Sequence, residues 1–142
     1  MRFLRRHGWE VWVYERYEDG FPQPLKNPST PFKYKTVYLS GNKSLLNRFA
    51  IAVVGSRKAS PEALEWAEKL GETLAETCPL VTGLAEGVDA SAVKGVLKAG
   101  GCVVGVRPWL FPVSGEYFPD VVSRGCVISQ QPPPAPRRPK MG

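Results

Sequence analysis

Short apolar runs alternate along much of the chain with longer segments in which apolar residues recur every three or four positions. The apolar runs lie at 50–54, 80–82, 102–106 and 126–129. The helical pattern occupies the segments between them. Strands that alternate with helices form βαβ units, and such units build a parallel sheet covered by helices. The pattern therefore predicts an α/β fold with a mainly parallel sheet.

The segment that begins at residue 60 has the clearest helical signal. Ser60 is a preferred N-cap residue, and Pro61 suits the first helical position. Leu64, Ala67, Leu70 (or Gly71) and Leu74 follow at steps of three and four, which places them on one apolar stripe. The glutamates of this segment fall mostly on the opposite side. We interpret them as a solvated face and not as acid–base catalysts.

The two ends of the chain differ in character from the middle. Aromatic and β-branched residues at 9–14 favour a strand or an extended packed segment, 36–39 resembles a short strand, and 43–47 resembles one helical turn. Four prolines at 20–34 and five at 131–142 indicate extended chain. We predict an N-terminal arm or cap at 1–48, a main domain at 49–130 and a proline-rich basic tail at 131–142.

Length and composition narrow the class of protein. A chain of 142 residues is long enough for one domain with a core. The net charge of +6 is concentrated at the ends, since residues 1–48 carry nine Lys and Arg against four acids. Such an excess favours polyanions such as nucleic acid. The longest apolar run is far shorter than the ~20 residues that span a bilayer.

The three cysteines and the one histidine have no spacing typical of a metal site. Cys78, Cys102 and Cys126 are interpreted as free thiols in a reducing, cytoplasmic compartment. His7 lies in the predicted arm and has no partner for nucleophilic catalysis. We therefore expect no metal, no cofactor and no catalytic constellation, although acid–base chemistry by Glu86 or Asp89 stays open.

A turn of small and basic residues follows the first apolar run. Gly55 lets the chain leave the strand sharply and allows a ligand to approach the backbone. Ser56 adds a hydroxyl group, and Arg57 adds a planar set of donors that matches two phosphate oxygens. Lys58 adds a further cation. Because a helix begins a few residues later, the turn suits a phosphate group.

A second turn, at 82–89, follows the next strand. It contains Thr82, Gly83, Ala85 and Gly87, and Asp89 is placed to cap the helix that follows. The spacing matches neither the dinucleotide-binding fingerprint nor a P-loop. Because parallel strands end at the same edge of a sheet, both turns should lie together where open α/β folds bind ligands.

Further basic residues are expected near these turns. Lys94 and Lys98 are four residues apart on the second helix, and Arg107 follows the third strand. Arg57, Lys58 and Arg107 are expected to border one groove. Trp109 is either a stacking surface for a base or a packing aromatic residue.

Three segments resemble the DNA-processing protein A family (DprA, also called Smf). They are IAVVGSRKASPEALEWAEKLGETLAE at 51–76, VTGLAEGVDASAVKGVLKAGG at 81–101 and RGCVISQQPP at 124–133. The lead-in at 17–50 resembles the family as well. The resemblance implies a Rossmann-like three-layer fold that binds single-stranded DNA without catalysis, in natural transformation and recombination. It also implies a RecA-type recombinase and a second copy of the chain as partners.

The chain departs from the family pattern at several positions. Val93 stands where the family usually has a histidine, Arg107 meets Pro108 in place of a glycine-containing loop, and Gln130 replaces a common glutamate. Family members continue through further strands and helices, so we expect the sheet to be incomplete relative to the family.

Two alternatives to a single-strand-binding protein stay open. One is a nucleotide sensor or an enzyme like the nucleoside-monophosphate phosphoribohydrolases, although their Pro-Gly-Gly-x-Gly-Thr-x-x-Glu motif is absent. The other is a shortened relative that binds another protein.

Overall fold

The computed structural model describes residues 1–6, 8–26, 34–108, 110 and 118–132, and these ranges form one mixed sheet with helices. The strands are β1 (Arg2–Arg6), β2 (Trp9–Glu15), β3 (Thr36–Gly41), β4 (Ile51–Ala52), β5 (Leu80–Thr82), β6 (Val103–Arg107) and β7 (Cys126–Ser129). Their order across the sheet is β1-β2-β3-β7-β6-β5-β4.

The predicted α/β fold is confirmed, and its parallel part consists of β4, β5, β6 and β7. The expectation of a mainly parallel sheet needs correction, because β1, β2 and β3 pair antiparallel with one another and β3 pairs antiparallel with β7. The segment expected to be an arm or cap thus supplies three strands of the same sheet. The predicted boundaries at 48 and 130 remain predictions.

The helices are α1 (Pro61–Ala75), α2 (Val88–Lys98) and α3 (Phe118–Arg124). As predicted, the Ser60 hydroxyl oxygen caps α1, accepting a hydrogen bond from the amide of Ala63 at 3.2 Å. α1 and α2 pack closely because each helix has a glycine where it contacts the other. A Cβ atom at Gly71 would lie 2.2 Å from the carbonyl oxygen of Ala92, and one at Gly95 would lie 2.0 Å from that of Glu68. This contact fixes the two helices, and hence the turns that precede them.

Two apolar cores lie against the sheet. One joins the three helices to the sheet through residues such as Leu74, Val96 and Val121. The other is closed by Phe21 and Leu45, which come from the N-terminal segments. Leu45 belongs to a 3₁₀ helix, Lys43–Asn47, that confirms the predicted turn at 43–47. The N-terminal region therefore covers the sheet face that lies away from the α-helices.

Candidate functional site

The two glycine turns meet where β4 and β5 end, and one buried carboxylate connects them. Oδ1 of Asp89 accepts a hydrogen bond from the amide of Gly55 at 3.1 Å, and Oδ2 accepts one from the amide of Gly83 at 3.2 Å. We expected Asp89 to cap α2, but the N-cap position is Gly87, which offers no side chain. Asp89 instead holds the first turn against the second.

Gly87 brings the two turns into backbone contact. Its φ of +80° lies in the left-handed region, and a Cβ atom there would lie 2.2 Å from the carbonyl oxygen of Ser56. The same carbonyl accepts a hydrogen bond from the amide of Val88 at 3.1 Å. Any larger side chain at position 87 would therefore push the turns apart.

The buried side chain of Leu84 anchors the second turn on the sheet. Its φ of +57° is unusual for a residue with a side chain and costs about 1–2 kcal/mol. Its side chain is fully buried and occupies the space above Gly105, where a Cβ atom would lie 2.5 Å from Cδ1 of Leu84. Burial of the leucine side chain holds the backbone of the second turn in this conformation.

The first turn presents exposed cations and backbone amides. The side chains of Arg57 and Lys58 are exposed. Within the described ranges, the Arg57 guanidinium forms neither a hydrogen bond nor an ion pair, and the amides of Ser56 and Arg57 donate to no group. The Ser56 hydroxyl oxygen accepts from the amide of Lys58 at 3.1 Å, which closes the turn. These groups can receive an anion.

The other predicted site residues differ in position. Arg107 reaches the second turn, since its Nη1 donates to the carbonyl oxygen of Leu84 at 3.3 Å. Thr82 is buried, and its hydroxyl has no hydrogen-bond partner among the described residues. Lys94 faces α1 and pairs with Glu68 at 3.8 Å. It lies about 9 Å along α2 from the turn, by the usual rise of 1.5 Å per residue.

The structure therefore brings together most of the predicted residues and leaves Lys94 apart. Ala85 lies in the second turn and is half-buried, whereas Glu86 is exposed. Trp109 lies outside the described residues. Sequence reasoning missed the bridging role of Asp89 and the anchor at Leu84. The signal for that anchor was Gly105, which leaves room for the Leu84 side chain but lies far from it in sequence.

Three further findings concern chemistry and membranes. In the described part of the chain, no group of three His, Cys, Asp or Glu side chains could hold a metal ion. Burial raises the pKa of Cys126 to about 12, so this thiol stays protonated at neutral pH. Among the described residues, no helix has the length and hydrophobicity that a membrane span requires.

The fold agrees with comparisons to known proteins. Residues 12–141 match the sequence model of the DNA recombination-mediator protein A family, and the chain therefore belongs to this family. It is 36% identical over 70 residues to DNA processing protein DprA of Streptococcus pneumoniae (strain ATCC BAA-255 / R6), which is 49% of this chain and 25% of that protein.

Two solved structures of DNA processing protein A share the fold. The X-ray structure of the Streptococcus pneumoniae protein superposes with a TM-score of 0.73 at 25% identity, over 85% of this chain and 44% of that one. The Helicobacter pylori protein, solved to study its single-stranded DNA binding mode, gives a TM-score of 0.69 at 20% identity, over 86% of this chain and 56% of that one. The chain thus spans about half the length of these solved relatives.

Proposed function

We propose that the chain binds single-stranded DNA at the paired turns and acts in DNA uptake, natural transformation or recombination. The observation that carries the proposal is that one turn, which Asp89 fixes, carries both the exposed side chain of Arg57 and the amides of Ser56 and Arg57, which donate to no group in the described ranges. Membership of the family supports it, as does the single-stranded DNA binding of the Helicobacter pylori protein.

The hydrogen bonds of Asp89 indicate which part of the site receives phosphate. Its carboxylate already accepts from Gly55 and Gly83, and it places a negative charge in the first turn of α2. That charge offsets the positive end of the helix dipole, so this end does not attract a second anion. We therefore assign phosphate contact to Ser56, Arg57 and Lys58. Gly83, Ala85 and Gly87 shape the wall beside them, and Arg107 braces it.

Substitution of Arg57 tests this function. Loss of a charge-assisted contact of about 1.5–3 kcal/mol should weaken binding of Arg57→Ala to an unstructured oligothymidine about 10- to 100-fold. The slope of affinity against salt concentration should also fall. The measurement is fluorescence anisotropy across a salt series, with a mononucleotide as the competing ligand.

Arg48→Ala is the matched control. Arg48 is also exposed, but it precedes β4 and lies at the other end of that strand. If Arg57→Ala and Arg48→Ala bind equally, or if a mononucleotide displaces the oligonucleotide at equal concentration, single-stranded DNA is not the ligand of this turn.

We also propose that two copies of the chain associate through β4. The amides of Ile51 and Val53 donate inward, to the carbonyl oxygens of Pro79 at 3.2 Å and Val81 at 3.0 Å. The amide and carbonyl of Ala52 therefore point away from β5, and no described strand pairs with them. Phe49 is 77% exposed beside this edge. Two such edges are self-complementary when they pair antiparallel.

Ala52→Pro removes the outward donor and leaves the inward hydrogen bonds in place. Light scattering should show a dimer for the wild-type chain and a monomer for the variant, with unchanged circular dichroism. A wild-type monomer at all concentrations, or a dimer that survives the substitution, contradicts the proposed interface.

A RecA-type recombinase as partner and a cytoplasmic location are further proposals. They are supported by family membership. A pull-down of a RecA-type recombinase on immobilised chain, with and without oligothymidine, tests the partner.

A further inference from the structure

The edge of the sheet that holds the two turns continues into the antiparallel half. Strand register links Thr82 to Gly105, Gly105 to Val127 and Val127 to Ser40. Because β3 runs antiparallel to β7, the start of β3 lies at the edge where β4, β5, β6 and β7 end. The end of β2 lies there as well, since Glu15 pairs with Thr36.

This edge is long enough for several nucleotides. β4 and β3 are four strand positions apart, and strands are spaced by about 4.8 Å, which gives roughly 19 Å. β2 adds one more interval. A stacked single strand of DNA rises about 3.4 Å per nucleotide, so about six nucleotides span the distance from β4 to β3 and about seven reach β2. Fewer nucleotides suffice if the DNA strand is extended.

An aromatic residue and a cation stand at the far end of the edge. Tyr17 is 86% exposed and lies in the turn after β2, where the amide of Glu18 donates to the carbonyl oxygen of Glu15 at 2.9 Å. Lys35 is exposed immediately before β3. The amide of Arg16 donates to the carbonyl oxygen of Lys35 at 2.8 Å, so Lys35 lies beside the turn that carries Tyr17.

The turn around Tyr17 is held rigidly by Arg16. The guanidinium of Arg16 donates to the carbonyl oxygens of Leu25, Tyr34 and Lys26 at 3.3, 3.0 and 3.3 Å. This network ties the end of β2 to the start of β3 and to Leu25 and Lys26. A base that stacks on Tyr17 therefore does not have to order the backbone of this turn.

The nearby carboxylates are mostly engaged within the protein. Glu15 pairs with Arg2 at 3.3 Å and accepts from the Thr36 hydroxyl at 2.7 Å, and Glu18 pairs with the amino group of Met1. Lys35 has no ion pair with a described residue. Asp19 is the exposed acid closest in sequence to Tyr17. Lys35 thus keeps its charge for a phosphate, beside an aromatic surface for a base.

We propose that Tyr17 and Lys35 form a second contact for single-stranded DNA, in which Tyr17 stacks on a base and Lys35 binds a phosphate. The inference rests on the proposed function. The DNA strand runs from Arg57 along the edge where β4, β5, β6 and β7 end. It then passes the start of β3 and reaches Tyr17 at the end of β2. Exposed aromatic rings with adjacent cations bind single strands without reading their sequence.

The experiment compares two probes on the full chain, oligothymidine of 20 nucleotides and the thymidine dinucleotide. Tyr17→Ala should weaken binding of the long probe about 5- to 100-fold. Tyr17→Phe should retain the affinity, because the ring remains. Lys35→Ala should lower the slope of log affinity against log salt by about 0.7. The dinucleotide, which cannot span the edge, should lose no affinity for the Arg57 turn in any of these variants.

Trp66→Ala and Lys69→Ala are the controls, since both residues are exposed on α1. If the wild-type chain does not bind the long probe, the proposed function itself is wrong. If the wild-type chain binds and Tyr17→Ala matches Trp66→Ala, the second contact is wrong and the first stands. Equal losses in Tyr17→Phe and Tyr17→Ala would exclude stacking. A loss of dinucleotide affinity in the Tyr17 variants would contradict a second contact that is separate from the Arg57 turn.

Discussion

Asp89 shows why a residue in a glycine-rich turn is hard to interpret from its neighbours alone. Its carboxylate spans two turns whose amides lie 34 and six residues away in sequence. The preference of aspartate for helix starts predicted a cap of α2, and the acid is indeed in the first turn of that helix. The long-range hydrogen bond to Gly55 depends on the pairing of β4 with β5, and no local pattern contains it.

Asp89→Asn should therefore destabilise the protein, although asparagine has nearly the same size and shape as aspartate. The asparagine oxygen can accept from one turn, but its NH₂ group would face the amide of the other and leave a buried donor without a partner. The free energy of unfolding should fall by about 1–3 kcal/mol, measured by urea denaturation. The amide resonance of Gly55 or Gly83 should shift. Asp120→Asn, at an exposed position in α3, should change neither; equal behaviour of the two variants would contradict the bridging role.

At the scale of elements, local sequence patterns predicted α1 and the parallel strands. They did not predict that β1, β2 and β3 belong to the same sheet. Ser60, Pro61 and the apolar stripe define α1 within one segment of chain. The pairing of Tyr38 with Ser129 joins residues far apart in sequence, and the aromatic composition of 9–14 fits a strand in any sheet or none. The two turns of the site were predicted because each directly follows a strand. The Tyr17 turn was not, because its place at the same edge depends on that antiparallel pairing.

The contact between α1 and α2 reverses an ordinary rule about helices. Glycine to alanine inside a helix usually stabilises by up to about 1 kcal/mol. At Gly95 the new Cβ atom would lie 2.0 Å from a backbone carbonyl oxygen of α1, so the helices must separate. Gly95→Ala should lower the free energy of unfolding by about 1–3 kcal/mol in urea denaturation. Thr73→Ala, exposed on α1, should be neutral or slightly stabilising. A stabilised Gly95→Ala would mean that the helices do not pack this closely.

At the scale of the whole molecule, the antiparallel half and the parallel half should unfold as one unit. Val37 on β3 is fully buried in the same apolar core as Val104 and Ile128 of the parallel strands. Val37→Ala leaves a cavity in that shared core, which should lower the free energy of unfolding by about 2 kcal/mol and shift a single unfolding transition without splitting it.

Native-state hydrogen exchange tests the coupling between the two halves of the sheet directly. Amides of β3 that donate within the sheet should exchange with the same free energy as those of β6, and Val37→Ala should lower both equally. Faster exchange of β3 alone, with β6 unaffected by the substitution, would mean that the N-terminal strands unfold independently of the parallel strands. In that case the edge between Arg57 and Tyr17 would not be rigid enough to hold one extended strand of DNA.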